Sequence, residues 1–366
     1  MKIRFAFVLW ILSALILPAA EWRMALPGWQ YEFPRDHHIH PDFKTEWWYF
    51  TGRLVGEKGE VFGYQVTFFR QGIIPPADRV GTTSRFLVDD LKFAHFAVSD
   101  VHAQQFHFQQ KLSRGAFGEA GFGDESALAW IGDWRLELQP DGTFALQASG
   151  DGMDLRLHLE STKPFAIHGH DGVSQKAEGV GRASHYFSAT RLATQGTLSI
   201  AGRNHTVHGE SWLDREWGSN QLAANQVGWN WFSLQFDDNT ELMLYQMRTQ
   251  DGGIDPNSSG TFVARDGVAT HLQRDDYQLT PTKFWTSKAS GGRYPIAWHL
   301  SVPKLDLRLD VTTPLQAQEL YLRPVAYWEG LIDVQGTHGE AKLRGHGYME
   351  LTGYAGALVG LSEKGN

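Results

Sequence analysis

Alternation of apolar and polar residues with a period of two constrains the fold of this chain more than any other feature. The stretch DLRLHLES places Leu155, Leu157 and Leu159 on one face of an extended segment, and KLDLRLDV repeats the pattern over residues 305–311. Alternation also runs from residue 134 to 138, reaches Pro-Asp-Gly, and resumes at 144 and 146, which predicts a hairpin. The pattern predicts half-buried antiparallel strands.

No amphipathic helix of convincing length accompanies these strands, and 39 glycines are scattered between short segments. Glycine is common at the corners and bulges of antiparallel sandwiches and barrels. The sequence therefore predicts an all-β fold.

Two long hairpins resemble each other across half the length of the chain. WWYFTGRLVGEKGEVFGYQVTFFRQG spans residues 47–72, and WNWFSLQFDDNTELMLYQMRTQDG spans residues 229–252. Each has an aromatic strand, a charged turn, and a second strand in which Tyr-Gln precedes an arginine. Chance similarity between two aromatic hairpins is one interpretation, and internal duplication is the other. A chain of 366 residues also exceeds the size at which single cores stop growing, which favours two similar β-domains in tandem.

The first twenty residues differ in character from the rest. Lys2 and Arg4 precede an apolar run from Phe5 to Leu17, which is shorter than a membrane span and typical of a secretory signal. Pro-Ala-Ala at 18–20 is a poor cleavage site, so an uncleaved N-terminal anchor is the alternative. We expect export to the periplasm or envelope, with residues 1–20 as signal or anchor, 21–215 as the first domain and 216–366 as the second.

Composition excludes nucleic acid as a partner and excludes covalent links through cysteine. With 33 basic and 41 acidic side chains the net charge is -8, and no basic footprint for nucleic acid is present. The absence of cysteine excludes disulfides and lipoprotein attachment. An apolar surface patch would permit association with a membrane surface, whereas the sequence makes no prediction of oligomeric state.

Charge and indole crowd together in HGESWLDREWGSNQL, residues 208–222. If this segment is extended, Asp214 and Glu216 lie on one side and Arg215 on the other. Two facing carboxylates repel unless one is protonated or paired. One interpretation is a salt-bridged corner that docks one domain on the other, with Trp212 and Trp217 as filler. The other is a functional site at the seam between the domains.

Several tryptophan-rich blocks carry a resemblance to a known family. In order along the chain they are KTEWWYFTGRL, ASHYFSATRL, HGESWLDREWGSNQL, GWNWFSLQF, ELMLYQMR, YPIAWHL, YWEGLIDVQG and GYMELTGY. Over nearly all of the mature chain, the sequence resembles the lipocalin-like family of carotenoid 1,2-hydratases and AttH-like exported proteins, often called predicted secreted hydrolases. The resemblance implies two tandem lipocalin-like antiparallel β-barrels. It also implies an apolar small-molecule ligand, such as a lipid or isoprenoid.

Only some of the residues implicated in catalysis by the hydratases are present at the matching positions of this chain. Their seam motif D-H-N-W-G corresponds to residues 214–218, where Trp217 is retained and Arg215 replaces the histidine. Their Y-x-D motif corresponds to residues 245–247, where Tyr245 is retained and Met247 replaces the aspartate. Arginine does not shuttle protons near neutral pH. Carotenoid hydration by that mechanism is therefore not expected of this chain.

The carboxylates that are present still allow acid–base chemistry. Alkene hydration needs an acid that protonates carbon, a pocket that tolerates a carbocation, and a base that activates water. Asp214 or Glu216, with a pKa raised by apolar walls, is the candidate acid, and indole and phenol faces are candidate cation stabilisers. The candidate catalytic residues are Asp214, Glu216, Tyr245 and Trp217. The candidate binding residues are Glu46, Trp47, Trp48, Glu210, Trp212, Arg215, Trp229 and Trp231.

No cofactor or metal is expected. The run from His37 to His40 offers three imidazoles beside Asp36, but its spacing matches no standard zinc motif, which favours a solvated loop or lid. His95 lies between aromatic residues and is interpreted as a core histidine bonded to a neighbour. Neither G-x-S-x-G nor H-E-x-x-H occurs, so ester or peptide hydrolysis has little support.

Two functions from different classes remain. The first is an exported enzyme of the hydratase or isomerase type, acting on an apolar small molecule at the seam between the barrels. The second is a non-catalytic lipid- or isoprenoid-binding protein of the envelope, a role that suits barrels of this kind. A buried, desolvated Asp214 or Glu216 that opens on a cavity favours the enzyme, and a dry aromatic cavity with all carboxylates ion-paired favours the carrier.

Overall fold

Residues 21–79, 87–323 and 325–356 are described by the structure, a computed structural model. The predicted signal or anchor at 1–20 lies outside the described residues. Within the described part, strands and five short 3-10 helices account for all regular structure, and no helix is long and apolar enough to cross a membrane. The helices are Arg35–His37, Pro76–Arg79, Ala116–Gly118, Arg274–Asp276 and Pro303–Leu305.

The first sheet is built from the strands before residue 219. These are β1 (Thr45–Gly56), β2 (Val61–Gly72), β3 (Asp90–Asp100), β4 (Gln105–Ser113), β5 (Ala120–Phe122), β6 (Ala127–Ile131), β7 (Trp134–Leu138), β8 (Phe144–Gly150), β9 (Met153–Ser161), β10 (Ala166–Ile167), β11 (Ser174–Gln175), β12 (Ala183–Ile200) and β13 (Arg203–Gly218). Its order is β4-β3-β2-β1-β13-β12-β9-β8-β7-β6-β5, with β10 and β11 paired to β12. The end strand β4 approaches β6, the neighbour of the other end strand β5, so the sheet nearly closes into a barrel.

The second sheet is built from the strands after residue 225. These are β14 (Gln226–Phe236), β15 (Glu241–Thr249), β16 (Ser259–Val263), β17 (Ala269–Gln273), β18 (Gln278–Thr286), β19 (Arg293–Val302), β20 (Leu307–Thr312), β21 (Glu319–Tyr321), β22 (Ala326–His338) and β23 (Ala341–Leu351). Its order is β17-β16-β15-β14-β23-β22-β20-β19-β18, with β21 paired to β22, and it curves into a half-barrel. The predicted all-β fold of two tandem lipocalin-like antiparallel barrels is confirmed.

The alternation seen in the sequence corresponds to buried and exposed faces, with one exception at a strand end. Along β9, Leu155, Leu157 and Leu159 are buried and the residues between them are half-buried or exposed. Predicted strand 305–311 instead begins at Leu307, because Asp306 adopts a left-handed backbone (φ 49°) that ends the preceding 3-10 helix. The hairpin at 134–146 forms as predicted from β7 and β8.

Each sheet encloses its own apolar core. In the first barrel Trp48, Phe50 and Trp134 belong to a large buried cluster, and in the second Phe232 and Trp298 belong to another. The two similar hairpins found in the sequence are β1–β2 and β14–β15, one in each sheet. The chain passes from the first sheet to the second between Gly218 and Gln226. The predicted domain boundary at 215/216 falls inside β13.

Between the barrels lies a third cluster, called here the interface cluster. It consists of Tyr49, Tyr186, Trp212, Trp231, Met243, Tyr245, Met247, Leu331 and Tyr348, all buried. The sheets approach closely at Gly63, where an added Cβ would lie 2.6 Å from the hydroxyl oxygen of Tyr348. Trp47, Val61, Val101, Leu222 and Trp229 pack against the cluster and are only partly buried, so they mark where it reaches the surface.

Candidate active site at the interface between the barrels

Strand β13 directs its charged residues to opposite faces, as the alternation predicts. Asp214 accepts a hydrogen bond from Trp212, so both belong to the side of the interface cluster. The guanidinium carbon of Arg215 lies 3.7 Å from the ring centroid of Trp48, which belongs to the core of the first barrel. The segment 203–218 is therefore one extended strand with an interface face and a barrel-core face.

Asp214 is a buried carboxyl whose hydrogen-bond partners are all uncharged. The Tyr186 hydroxyl and the Trp212 indole N–H donate to it, each at 2.5 Å, and the Ser188 hydroxyl also donates. Burial raises the pKa of Asp214 to about 7, with a further contribution from the negative charge of Glu216, although the three donors oppose the shift. A carboxyl with a pKa near neutrality is suited to donating and accepting protons.

A hydrogen-bond chain connects Asp214 to the second sheet. The Nε2 atom of His168 lies 2.6 Å from the Ser188 hydroxyl oxygen, and its Nδ1 atom lies 2.8 Å from the Thr261 hydroxyl oxygen. Burial lowers the pKa of His168 well below its usual value, and the charge of Lys176 lowers it further, so the imidazole is neutral. Sequence reasoning missed this role of His168, because the pairing depends on strands from both barrels.

Glu216 is ion-paired, unlike Asp214. Its Oε1 atom lies 3.2 Å from the Lys176 ammonium nitrogen and accepts a hydrogen bond from Ser184. Lys176 is buried, and the charge of Glu216 raises its pKa despite the opposing effect of burial. Glu216 has a cationic partner and Asp214 has none, so of the two candidate acids the geometry favours Asp214.

Tyr245 belongs to the interface cluster and lies beside the same lysine. The Lys176 nitrogen is 4.0 Å from the Tyr245 ring centroid, and the Tyr245 hydroxyl donates to the Gln175 carbonyl oxygen at 2.9 Å. Ser259 donates to the Tyr245 hydroxyl oxygen at 2.8 Å. Tyr245 therefore lies on the Lys176–Glu216 side of the interface.

The remaining tryptophans of the interface surround the carboxyls. The Trp231 indole N–H donates to the Tyr186 hydroxyl at 3.2 Å, and its ring meets Trp212 edge-on with centroids 6.4 Å apart. Trp229 donates its indole N–H to Glu350 Oε2 at 2.8 Å. Trp47 and Trp229 lie at the partly exposed edge. Four of the predicted binding tryptophans, Trp47, Trp212, Trp229 and Trp231, are thus brought together.

Other predicted residues lie on the far face of the sheet. Glu46 pairs with Arg70 at 2.7 Å and with Arg215 at 2.6 Å, and all three are fully buried. Trp217 stacks on His40 with ring centroids 3.8 Å apart. The structure therefore places four predicted residues away from Asp214. They are Glu46, Trp48, Arg215 and Trp217. Their predicted catalytic and binding roles stay predictions.

Glu210 lies further along β13, in a polar cleft between the barrels. It pairs with Arg191, and Arg191 also pairs with Glu241 of the second sheet at 2.7 Å. The cleft has a volume of about 830 Å³ and is lined by Arg53, Arg191, Glu210, Gln235, Phe236, Asp237, Asn239, Thr312, Asp333, Val334, Gln335, Arg344, Gly345 and His346. Glu210 therefore shares the interface face with Asp214 but not its aromatic surroundings.

Two further carboxyls at the interface were missed by the sequence analysis. Glu329 on β22 and Glu350 on β23 occupy directly opposed positions, and Trp231 is opposite Glu350 on the other side. Burial raises the pKa of both carboxyls. The charge of Glu350 raises the pKa of Glu329 further, and the charge of Asp214 raises the pKa of Glu350 further. The available signal was a glutamate in the middle of an aromatic and apolar strand, in YWEGLIDV and GYMELTGY.

The predicted core histidine has a protein partner, because His95 Nδ1 lies 2.7 Å from the Tyr327 hydroxyl oxygen, and burial lowers the pKa of His95 to about 3. The prediction of a solvated loop at His37–His40 is wrong. Asp36, His37 and His40 are buried, and His40 lies between Asp36 and Glu46. In the part of the chain that the structure describes, no cluster of three or more metal-ligating side chains occurs.

Comparison with known proteins places the chain in a family. The AttH-like family model matches residues 24–354, and the chain belongs to this family. A crystal structure of an AttH protein from Nitrosomonas europaea is similar with 31% identity and a TM-score of 0.82, covering 91% of this chain and 99% of that one. No match was found among curated proteins.

More distant solved structures share the fold. Kievitone hydratase from Nectria haematococca aligns with a TM-score of 0.70 and 14% identity, covering 93% of this chain and 98% of that one. CghA aligns with a TM-score of 0.54 and 13% identity, covering 92% of this chain and 97% of that one. At these identities the similarity establishes the two-barrel fold only.

Proposed function

We propose that this protein is a hydratase-type enzyme that adds water to a carbon–carbon double bond of a small apolar molecule at the interface between its barrels. One observation carries the proposal: Asp214 is a buried carboxyl with a pKa raised to about 7, held by uncharged donors against indole and phenol rings. Structural carboxylates buried in this protein, such as Glu46 and Glu216, are paired with cations instead.

The acid step uses the protonated form of Asp214. Its proton passes to one alkene carbon, the π electron pair forms the new C–H bond, and the other carbon becomes a carbocation. Trp212 donates its indole N–H to Asp214, and Trp231 meets Trp212 edge-on, so two indole rings lie near the carbocation, and aromatic rings stabilise cations. Burial keeps Asp214 protonated near neutral pH, so the proton is present when an alkene binds.

A base is then needed for water. Glu350 lies near enough to Asp214 for the charge of one to raise the pKa of the other, and it is fixed by the Trp229 indole N–H. Water attacks the carbocation through an oxygen lone pair, the C–O bond forms, and Glu350 accepts the released proton. The alcohol product contains the atoms of the alkene plus one water. Glu350 then releases its proton to solvent, and Asp214 takes up a proton from solvent, which regenerates the starting state.

Comparison supports this class of reaction without establishing it. Kievitone hydratase, which is named for a hydration, shares the two-barrel fold. A carrier is the second candidate, because Arg215 and Met247 stand where the carotenoid hydratases have an acid–base pair. The unpaired state of Asp214 favours the enzyme.

Export of the protein is part of the proposal. Lys2, Arg4 and the apolar run from Phe5 to Leu17 support it. Fractionation of the native host, with mass analysis of the N-terminus, tests it directly. Recovery of the unprocessed chain from the cytosol would contradict export.

The enzyme and the carrier are distinguished by what co-purifies. Wild-type protein and an Asp214→Asn variant are purified from the native host, examined by native mass spectrometry, and extracted with organic solvent. The enzyme predicts that the variant accumulates an alkene that is lighter by one water than the alcohol recovered from wild type.

The matched control is Asp275→Asn, an aspartate change at an exposed position in the 3-10 helix Arg274–Asp276, outside the interface cluster. It should yield the wild-type extract. If all three proteins carry the same unaltered molecule, the hydratase proposal fails and a carrier remains.

A further inference from the structure

Buried polar atoms without hydrogen-bond partners gather at one place in the interface. They are the Tyr49 hydroxyl, the Thr51 hydroxyl, the Gln65 Oε1 atom and both carboxyl oxygens of Glu329. All four residues are buried. Buried polar atoms without partners are rare in native proteins, because each forfeits the hydrogen bonds that it makes with water. Their concentration indicates a binding site for a polar group.

Strand register explains why these residues meet. Thr51 and Gln65 are directly opposite on β1 and β2, and Tyr49 is two residues along β1 on the same face. Strand β22, which carries Glu329, packs against β2. The Tyr49 hydroxyl and the Glu329 carboxyl are close enough to interact, although not in hydrogen-bond geometry, and Glu329 raises the pKa of Tyr49 in addition to the effect of burial. One set of atoms therefore comes from each barrel.

The chemistry of the four groups is complementary to an oxygen atom. Gln65 uses its amide N–H to donate to Thr67 at 2.7 Å, which leaves its carbonyl oxygen as an acceptor. Tyr49 and Thr51 offer hydroxyls. Glu329 faces Glu350 across the β22–β23 ladder, and two opposed buried carboxyls share a proton more readily than they carry two charges. A protonated Glu329 is a donor. Neighbouring donors and an acceptor suit a hydroxyl oxygen, and the donors alone suit a carbonyl oxygen.

We propose that Tyr49, Gln65 and Glu329 form a subsite for a hydroxyl or carbonyl oxygen of the ligand. The ligand class is then an oxygenated apolar molecule, such as an isoprenoid alcohol, and not a pure hydrocarbon. This inference rests on the proposed function, because it concerns the substrate of the same site.

The subsite lies next to the acid. The Tyr49 ring meets the Trp231 ring edge-on, with centroids 5.2 Å apart. Trp231 donates to the Tyr186 hydroxyl, which in turn donates to Asp214. A ligand whose oxygen is held at Tyr49 and Glu329 would therefore lay its carbon chain along Trp231 toward Asp214. The subsite fixes which double bond meets the proton.

Two probes with the same carbon skeleton test the subsite: farnesol, which has a hydroxyl, and farnesene, which has none. Binding to the full chain is followed by quenching of tryptophan fluorescence. Wild type should bind farnesol about tenfold more tightly than farnesene, the effect of roughly one well-formed buried hydrogen bond. The preference should fall to about twofold or less in Glu329→Leu and in Tyr49→Phe, while farnesene affinity is retained.

Glu329→Gln is the discriminating variant, because an amide keeps a donor and cannot ionise. It should keep most of the preference for farnesol, whereas a merely space-filling role would be met equally by leucine. Unfolding midpoints of all variants verify folding. Equal affinity of wild type for the two probes, an unchanged preference in Glu329→Leu, or binding of neither probe would overturn the subsite.

The outcome is separable from that of the proposed function. A preference for farnesol that Glu329→Leu abolishes, without hydration of any extracted alkene, leaves the subsite standing and removes the enzyme. Hydration that depends on Asp214, without any preference for farnesol, leaves the enzyme and removes the subsite.

Discussion

The two faces of strand β13 handle buried charge in opposite ways. On the barrel-core face Arg215 shares Glu46 with Arg70, and all three side chains are fully buried and paired. Burial alone would raise the pKa of Glu46, but the two guanidinium groups hold it well below its usual value. On the interface face the pKa of Asp214 is raised to about 7 among uncharged donors.

The difference shows how one strand combines docking and chemistry. Paired charges resist titration and fix the local structure, whereas an unpaired carboxyl in the same strand can exchange a proton near neutral pH. The sequence DRE contains both cases in three consecutive residues. The opposed environments arise because extended backbone sends alternate side chains to opposite faces.

The largest effect is expected on the paired face. Glu46→Leu leaves Arg70 and Arg215 buried without their shared carboxylate, and removal of one partner from a buried pair costs about 3–5 kcal/mol. We expect the upper end, because two guanidinium groups lose their partner. Urea denaturation at neutral pH measures the loss. A change below about 1 kcal/mol would contradict the structural role of this face.

A pH-dependent effect is expected from Asp214. The pKa of Asp214 is about 7 in the fold and 3.8 ordinarily, so the folded state binds this proton more tightly than the unfolded state. The stabilising contribution is fully present below about pH 4 and is lost as pH rises to about 7. Asparagine cannot ionise, so Asp214→Asn should gain about 3 kcal/mol relative to wild type between about pH 5 and pH 8.

Urea denaturation at both pH values measures this change, with Asp275→Asn as the control that should parallel wild type. If the difference between wild type and Asp214→Asn is the same at both pH values, Asp214 titrates normally and the contrast between the two faces is lost.

Lys176→Met converts a paired interface carboxyl into an unpaired one. Glu216 then loses its cation, and we expect a loss of about 2 kcal/mol in the free energy of unfolding, because an unpaired buried charge is costly. Urea denaturation at neutral pH measures the loss. A loss below about 0.5 kcal/mol would show that this ion pair contributes little to stability.

The smallest effect is expected from Trp229→Phe. This change removes the indole N–H that donates to Glu350 but keeps an aromatic ring at the partly exposed edge. Loss of one such hydrogen bond costs about 1 kcal/mol and raises the pKa of Glu350 further. Urea denaturation measures the cost, and a neutral substitution would show that Trp229 serves packing alone.

The sequence was sufficient for features that depend on local periodicity. Alternation predicted that Asp214 and Glu216 face away from Arg215, and internal similarity predicted matching hairpins in the two barrels. Local patterns also indicated that Asp214 lies beside Trp212.

Other features depend on contacts between distant segments. Lys176, from the segment after β11, reaches Glu216, and Glu329 meets Glu350 only because β22 pairs with β23 in that register. A shift of one residue in either register would turn one glutamate to the other face. Likewise, the partner of Arg215 could not be read from its neighbours, because Glu46 lies on β1.

The central claim is that Asp214 keeps a proton near neutral pH. Infrared titration of protein labelled with carbon-13 aspartate separates aspartate carboxyls from those of Glu329 and Glu350, and comparison with Asp214→Asn assigns the band. We predict a protonated-carboxyl band that disappears with a midpoint near pH 7 and is absent from the variant. If wild type shows no such band above about pH 5, Asp214 ionises as an ordinary carboxyl and the interface has lost its acid.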